Sequence, residues 1–159
     1  MAEKIVMASE VFGLSLKDAI KEHLISKGFD VVDYGTDSPK NFVTYFDTAA
    51  KVARAIQNGV AKRGMVFCGS GMGVSISANK FKGIYCGLVE SEFTAEGCKI
   101  VNNCNVLAMG AKVISEFRAK IAVDLWLAKE FGEGNTPEVK QLLKDGLGEI
   151  ASFENEHMK

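Results

Sequence analysis

The chain has 159 residues, of which 47% are hydrophobic and 25% are charged, and its formal net charge at pH 7 is −1. This size predicts a single domain, residues 1–159, whose core needs no disulfide bonds. The balanced charge and the lack of a basic run argue against a nucleic-acid partner. No apolar stretch is long enough to cross a membrane and no secretory signal opens the chain, so we expect a cytoplasmic protein with no membrane contact.

Five short apolar runs have the length and composition of buried strands. They lie at 4–8, 29–33, 64–67, 84–88 and 105–109. Segments with apolar residues at helical spacing follow them, at 14–27, 47–58, from about 74, 91–101, 115–130 and from Pro137 onwards. Strands that alternate with helices predict a three-layer α/β fold, in which helices cover both faces of a five-stranded parallel sheet.

The third predicted strand ends at Cys68, and a loop rich in glycine and serine follows it, with the sequence Gly-Ser-Gly-Met-Gly. Its glycines, Gly69, Gly71 and Gly73, let backbone N–H groups approach an anion, and the next helix points its positive end the same way. A thiol beside an anion-binding loop is typical of an active site. The structural alternative is a buried cysteine before an ordinary strand-to-helix turn.

Ligands of open α/β sheets bind beyond the carboxyl ends of the strands. That rule places four segments on one rim of the sheet: Ser9 with Glu10, the Cys68 loop, Glu90 with Ser91, and the segment after Met109. The rim lacks a P-loop lysine and a G-x-G-x-x-G motif, which disfavours a nucleotide cofactor. The four cysteines have no C-x-x-C spacing, so we expect reduced thiols and no metal site, with the three cysteines other than Cys68 in structural roles.

Several segments keep a common order and spacing with one known family. They are Asp33-Tyr-Gly-Thr36, Tyr45 with Asp47, Cys68 to Ser75, Ser77-Ala-Asn-Lys-Phe81, and Asn102 with Asn105-Val-Leu-Ala-Met-Gly110. Over almost its whole length the chain resembles the type B ribose-5-phosphate isomerases and the galactose-6-phosphate isomerase subunits. The resemblance implies a five-stranded Rossmann-like domain that forms a homodimer or tetramer, with active sites shared between subunits and no cofactor. The last helix, from about 137, is then expected to pack on a partner subunit.

The resemblance also implies an aldose–ketose isomerisation through a cis-enediolate, on a small sugar or sugar phosphate. Cys68 resembles the carbon base of the family, and Ser70 the hydroxyl residue that moves a proton between the two oxygens. The N–H groups of the glycine loop would hold the developing negative charge. The family's sugar-binding residues are matched by Asn102 and Tyr45.

Three departures from the family concern substrate binding. The Asp-His pair after the first strand is replaced by Glu10 and Val11, so a carboxylate is kept without the imidazole. The histidine that opens the sugar ring is replaced by Val101. The C-terminal segment at 133–139 has no phosphate-binding arginine, and the nearest cations in the sequence are Lys140 and Lys144. We therefore expect Glu10 and Lys140 to contact the substrate in place of the usual groups.

Three explanations of these departures stay open. The substrate is an open-chain tetrose or tetrulose phosphate, or a second type of subunit supplies the missing groups, or the substrate has another anion or no phosphate. A non-catalytic sugar-phosphate-binding homologue is the rival function. Retention of Cys68 and Ser70 favours the isomerase, because a binding protein does not need a carbon base.

Overall fold

The structure of the protein is a computed structural model in which residues 2–158 are described. The strands of this part of the chain are β1 (Lys4–Ser9), β2 (Asp30–Asp33), β3 (Arg63–Cys68), β4 (Cys86–Leu88) and β5 (Val106–Gly110). The helices are α1 (Leu14–Ser26), α2 (Tyr45–Gln57), α3 (Met72–Ala78), α4 (Glu92–Ile100), α5 (Glu116–Ala128) and α6 (Pro137–His157). A 3₁₀ turn at Val11–Gly13 joins β1 to α1.

The five strands form one parallel sheet in the order β2-β1-β3-β5-β4. The chain runs outward from β1 to β2 and then crosses back to place β3 on the other side of β1. This reversal leaves a crevice between the carboxyl ends of β1 and β3, which is where open α/β sheets bind ligands. The predicted fold class is confirmed, and the crevice lies where the sequence places Glu10 and Cys68.

Alternate residues of each central strand face opposite layers, as the pleat of a strand requires. On one face, Ile5, Met7 and Phe67 pack with α1, α4 and α5, whose Trp126 is fully buried. On the other face, the even-numbered β1 residues, Val66 and Cys68 pack with the small side chains of α2 and α3. Cys68 therefore points toward the face covered by the two helices that flank the crevice.

Most predicted boundaries agree with the structure to within two residues, and the differences have local causes. Helix α2 begins at Tyr45 rather than at 47, because the Thr44 hydroxyl accepts a hydrogen bond from the Asp47 N–H at 3.2 Å and caps the helix there. Strand β4 begins at Cys86 rather than at 84. The N–H of Tyr85 donates to the side chain of Asn105 instead of joining the sheet ladder.

Helix α6 has little contact with the rest of its own chain. Its Glu154 carboxylate is buried and accepts hydrogen bonds from the Gly83 N–H at 3.1–3.2 Å. Large apolar side chains of the same helix, including Leu142 and Phe153, lie mostly exposed. No helix of the described residues is both long enough and apolar enough to span a bilayer.

Candidate active site

A cleft of about 550 Å³ opens at the crevice between β1 and β3. We call it the Cys68 cleft. It contains six of the residues predicted from the sequence for the site and a wall of aromatic side chains. The lining residues are Glu10, Phe12, Phe42, Val43, Thr44, Tyr45, Phe46, Cys68, Gly69, Ser70 and Gly73. Strand ends supply the polar groups, and the 42–46 segment supplies most of the apolar wall.

The Cys68 thiol lies in the cleft with 7% of the residue exposed. The N–H of Gly71 donates a hydrogen bond to its sulfur at 3.1 Å. The thiolate is the basic and nucleophilic form of a cysteine.

The glycine loop, residues 69–73, needs its glycines at the points of closest approach. Gly71 has φ +80°, and a Cβ there would lie 2.6 Å from Leu88 Cδ1 and 3.0 Å from the Gly110 N. A Cβ on Gly73 would lie 2.9 Å from the ring of Tyr45. The loop is thus pressed between β4, β5 and α2, which fixes the direction of its N–H groups.

Glu10 follows β1 directly and is 7% exposed. Its Oε2 accepts a hydrogen bond from the Phe12 N–H at 2.9 Å, while its Oε1 is buried and has no hydrogen-bond partner among the described residues. Buried carboxylate oxygens are nearly always hydrogen-bonded, so an unpaired one in a cleft is suited to accept from a ligand hydroxyl. The sequence predicted a substrate contact at Glu10, and the geometry is compatible with that prediction.

The hydroxyl of Ser70 accepts a hydrogen bond from the Met72 N–H at 3.3 Å and lies at the mouth of the cleft. Tyr45 packs edge-on against Phe46, with ring centroids 5.2 Å apart. With Phe42 largely exposed beside them, these rings form an apolar wall on one side of the cleft. Such a wall excludes water from the reacting atoms only when something covers its outer side.

A buried ion pair supports the segment that leads into this wall. Lys17 is 1% exposed, and its Nζ donates to Asp33 Oδ2 and to the Thr36 carbonyl, both at 2.7 Å. The Thr36 N–H in turn donates to the Ser9 carbonyl at 3.0 Å. Burial alone would raise the pKa of Asp33, but hydrogen bonds from Lys17, the Gly35 N–H and Lys21 outweigh it and lower that pKa.

Lys112 is a cation beside the loop that the sequence analysis did not identify. Its Nζ lies 4.8 Å from the centre of the Phe12 ring, and its backbone N–H donates to the Gly69 carbonyl at 3.0 Å. Its side-chain stem lies 3.7 Å from where a Cβ on Gly69 would be. The signal in the sequence is its position two residues beyond β5, on the rim that was already expected to bind ligands.

Asn102 and Lys140 do not line the Cys68 cleft of their own chain. Asn102 is exposed and lines a separate groove of about 620 Å³ along the edge strand β4 and helix α4. We call this the Asn102 groove; Val101, Ile150 and three cysteines also line it. Lys140 lies at the start of α6 against Gly132.

Two further polar residues, one on the rim and one in α1, have structural roles. Ser91 caps α4, and it forms a reciprocal capping box with Thr94. His23 is half-buried against α5, with its Nε2 2.8 Å from Asp124 Oδ1, as expected for a packed histidine. Among residues 2–158, no group of three metal-binding side chains is placed to hold an ion.

A model of the ribose/galactose isomerase family matches residues 5–142. The chain is 32% identical to the 4-deoxy-4-sulfo-D-erythrose isomerase of Clostridium sp. (strain MSTE9), over 95% of both chains. It is 35% identical to the D-erythrulose-4-phosphate isomerase of Pectobacterium atrosepticum, over 87% of this chain and 91% of that one.

The fold is similar to that of a ribose-5-phosphate isomerase B from Clostridium thermocellum, with a TM-score of 0.89 and 34% identity over 97% of this chain and 99% of that one. These matches confirm the resemblance identified from the sequence. The chain belongs to the ribose/galactose isomerase family of sugar-phosphate isomerases, and its enzyme class is that of the aldose–ketose isomerases.

Proposed function

We propose that this chain interconverts an open-chain aldose and ketose of four carbons with a terminal phosphate or sulfonate, without a cofactor and with Cys68 as the carbon base. The observation on which this proposal mainly rests is the cleft itself. A thiol that accepts an N–H hydrogen bond and a buried carboxylate oxygen without a partner line the same cleft. The thiol can move a proton on carbon, and the carboxylate oxygen can orient a substrate hydroxyl.

In the proposed reaction the Cys68 thiolate removes the proton from the carbon beside the carbonyl. The electron pair moves into the carbon skeleton and gives a cis-enediolate, whose negative oxygen is held by N–H groups of the glycine loop. The Ser70 hydroxyl relays a proton from one oxygen to the other. The Cys68 thiol then returns its proton to the neighbouring carbon, so that the sugar is isomerised and the thiolate is restored.

An open-chain substrate accounts for the missing ring-opening group. Val101 cannot transfer a proton, and neither His23 nor His157 lines the cleft. A tetrose that bears its anion on the last carbon has no free hydroxyl placed to close a five-membered ring. Two relatives of this chain are named for four-carbon substrates of this type, one a sulfonate and one a phosphate. We assign Lys112 to the terminal anion, because it is the cation beside the glycine loop.

We further propose that the working site is shared between two copies of the chain. Asn102 is exposed in a groove away from its own Cys68 cleft, and the apolar face of α6 is uncovered within one chain. A symmetric dimer would place Asn102 and Lys140 of one copy over the Cys68 cleft of the other. The apolar residues of α6, such as Leu142 and Phe153, would then be buried against the partner.

Exchange of the proton on the carbon beside the carbonyl, which is C2 of an aldose and C1 of a ketose, with deuterated water tests the carbon base. The panel is D-erythrulose 4-phosphate, 4-deoxy-4-sulfo-D-erythrose and ribose 5-phosphate. We expect exchange and isomerisation with a four-carbon sugar, and a loss of about 10²- to 10⁴-fold in Cys68→Ala. Cys86→Ala is the matched control, because burial raises the pKa of Cys86 to about 12 and keeps its thiol neutral.

Exchange that persists unchanged in Cys68→Ala would show that Cys68 is not the carbon base. Exchange confined to ribose 5-phosphate would contradict the four-carbon substrate but not the base. An absence of exchange with every sugar would contradict catalysis and favour the sugar-phosphate-binding alternative.

A further inference from the structure

We propose that Cys98 and Cys104 form a reactive dithiol that small disulfides oxidise to an intramolecular disulfide bond. The two residues lie at the ends of the segment that joins α4 to β5, outside the Cys68 cleft. Both line the open Asn102 groove. The sequence predicted only structural roles for them. Two cysteines separated by six positions, across the end of a helix, do not form a recognisable dithiol motif.

The backbone already holds the pair at a distance suitable for a bond. The N–H of Cys104 donates to the carbonyl of Cys98 at 3.0 Å. Disulfides join residues whose Cα atoms lie about 4.4–6.8 Å apart, and residues in direct backbone hydrogen bonding fall in that range. Asn103 adopts a left-handed conformation with φ 50°, which turns the chain back so that Cys104 meets the helix end.

The two sulfur atoms meet over Gly87 of β4. A Cβ on Gly87 would lie 3.1 Å from Cys98 Sγ and 3.3 Å from Cys104 Sγ, so both thiols occupy the space that a side chain would fill. Trp126 Nε1 donates to the Cys104 carbonyl at 3.1 Å and anchors that end of the segment. Both thiols therefore border the groove beside Gly87, with Cys98 partly exposed and Cys104 6% exposed.

The electrostatics give the two thiols different roles. A hydrogen bond from the Cys98 thiol lowers the pKa of Cys104, against the effect of burial and with help from Lys99. The same contact, together with burial, raises the pKa of Cys98. The Cys98 thiol also donates to the Ala95 carbonyl at 3.2 Å, so its single proton has to leave that carbonyl before it can serve an ionised Cys104. Cys104 is therefore the attacking thiolate and Cys98 the thiol that completes the bond.

The chemistry is a thiol–disulfide exchange. The Cys104 thiolate attacks one sulfur of a small disulfide, forms a mixed disulfide and releases one small thiolate, which takes up the proton of Cys98. The Cys98 thiolate then attacks the Cys104 sulfur and expels the second small thiolate, which is protonated by solvent. The two protein thiols lose two electrons and two protons, and the small disulfide is reduced to two thiols.

The closed loop would contain Asn102, so this modification would lie on the segment that the proposed function assigns to sugar binding. The thiol chemistry itself does not depend on that assignment. Cys86 lies nearby, but burial and the neighbouring Cys104 raise its pKa to about 12, so it stays a neutral thiol and should not compete.

The test is oxidation of the folded, full-length protein with oxidised glutathione, followed by alkylation, proteolysis and mass spectrometry. We expect one bond between Cys98 and Cys104, loss of two hydrogens from the chain and reversal by dithiothreitol. Cys86→Ser should form the same bond. Cys98→Ser should instead accumulate a mixed disulfide with glutathione at Cys104, and Cys104→Ser should lose the cross-link.

A bond from Cys104 to Cys86 would overturn the assignment of the pair. Cross-links only between chains, or a Cys98–Cys104 bond that forms only after unfolding in urea, would overturn the claim that the folded segment is poised to react. A mixed disulfide trapped at Cys98 in Cys104→Ser, with none at Cys104 in Cys98→Ser, would reverse the two roles and contradict the mechanism.

Discussion

The Cys68 cleft and the Asn102 groove contain the two sets of residues that match the family, and they are built differently. In the cleft, strand ends bring Glu10, Cys68 and Ser70 to one place, and most of their polar atoms are fixed by backbone N–H groups. In the groove, Asn102 is exposed among largely apolar neighbours along an edge strand. Under the proposed function, one chain would therefore complete the proton-transfer half of a site and leave the sugar-binding half facing outward.

The difference explains which departures from the family are tolerated. The retained residues lie where the fold itself converges, at the crevice between β1 and β3. Two of the three departures, Val101 and the 133–139 segment, lie outside that crevice, whereas the third, at Glu10 and Val11, follows the end of β1 and places Glu10 in the cleft. Under the proposed function, the cleft would supply the proton transfer, and the groups that contact the substrate from outside the cleft would select the sugar.

The largest expected effect comes from the buried ion pair behind the cleft wall. Lys17→Met leaves the largely buried Asp33 carboxylate with the more exposed Lys21 as its cation, and removing one partner of a buried pair costs about 3–5 kcal/mol. Urea unfolding measures this change. Lys21→Met is the control, and it should cost less than about 1 kcal/mol. Equal losses in the two variants would mean that the pair does not support the cleft wall as described.

Gly71→Ala tests the loop at its most restricted point. Its φ of +80° and the 2.6 Å approach to Leu88 predict a loss of about 2–3 kcal/mol in unfolding free energy, together with a large loss of activity. Gly146→Ala, in α6 with open space around it, should be neutral or stabilising by up to about 1 kcal/mol. Full activity in Gly71→Ala would show that the loop geometry is not needed.

Lys112→Met separates binding of the terminal anion from the chemistry. Loss of a charged hydrogen bond of about 1.5 kcal/mol should raise KM about tenfold and change kcat little. Lys120→Met, on an exposed α5 lysine paired with Glu116, is the control and should leave both parameters unchanged. An unchanged KM in Lys112→Met would show that another residue binds the terminal anion of the substrate. Lys140 of a partner copy would then be the next candidate.

The smallest effect is a pH dependence from Asp33. Its pKa in the folded protein lies below the ordinary value of 3.8, so its contribution to stability is complete above that value and is lost as pH falls through the folded pKa. Unfolding free energies measured from pH 5 downward should therefore fall more steeply in the wild type than in Lys17→Met. Parallel curves would contradict the role of Lys17 in lowering that pKa.

The sequence predicted the five strands, the rim and the Cys68 loop because each depends on local patterns: short apolar runs, a glycine-rich turn and strand ends. It did not predict Lys112 beside Gly69, because that contact joins segments more than forty positions apart. It did not identify Lys17 as buried, since a lysine in a helix is usually solvated and only its pairing with Asp33 allows burial. The Cys98–Cys104 pair likewise depends on the turn at Asn103 and on the absence of a side chain at Gly87.

The comparison of cleft and groove leads to one central claim, that the two halves of each site come from different copies of the chain. The most direct test is to mix two inactive variants, Cys68→Ala and Asn102→Ala, after denaturation and joint refolding. In a hybrid dimer, one site would have both defects and the other would have neither.

Equal mixing should give about half hybrids, each with one intact site, and so restore about a quarter of the wild-type activity. Each variant refolded alone should stay inactive. The claim would be contradicted by a mixture that remains as inactive as its components although mass measurements show that hybrids have formed. Asn102 would then act in its own chain's cleft or have no role in the reaction.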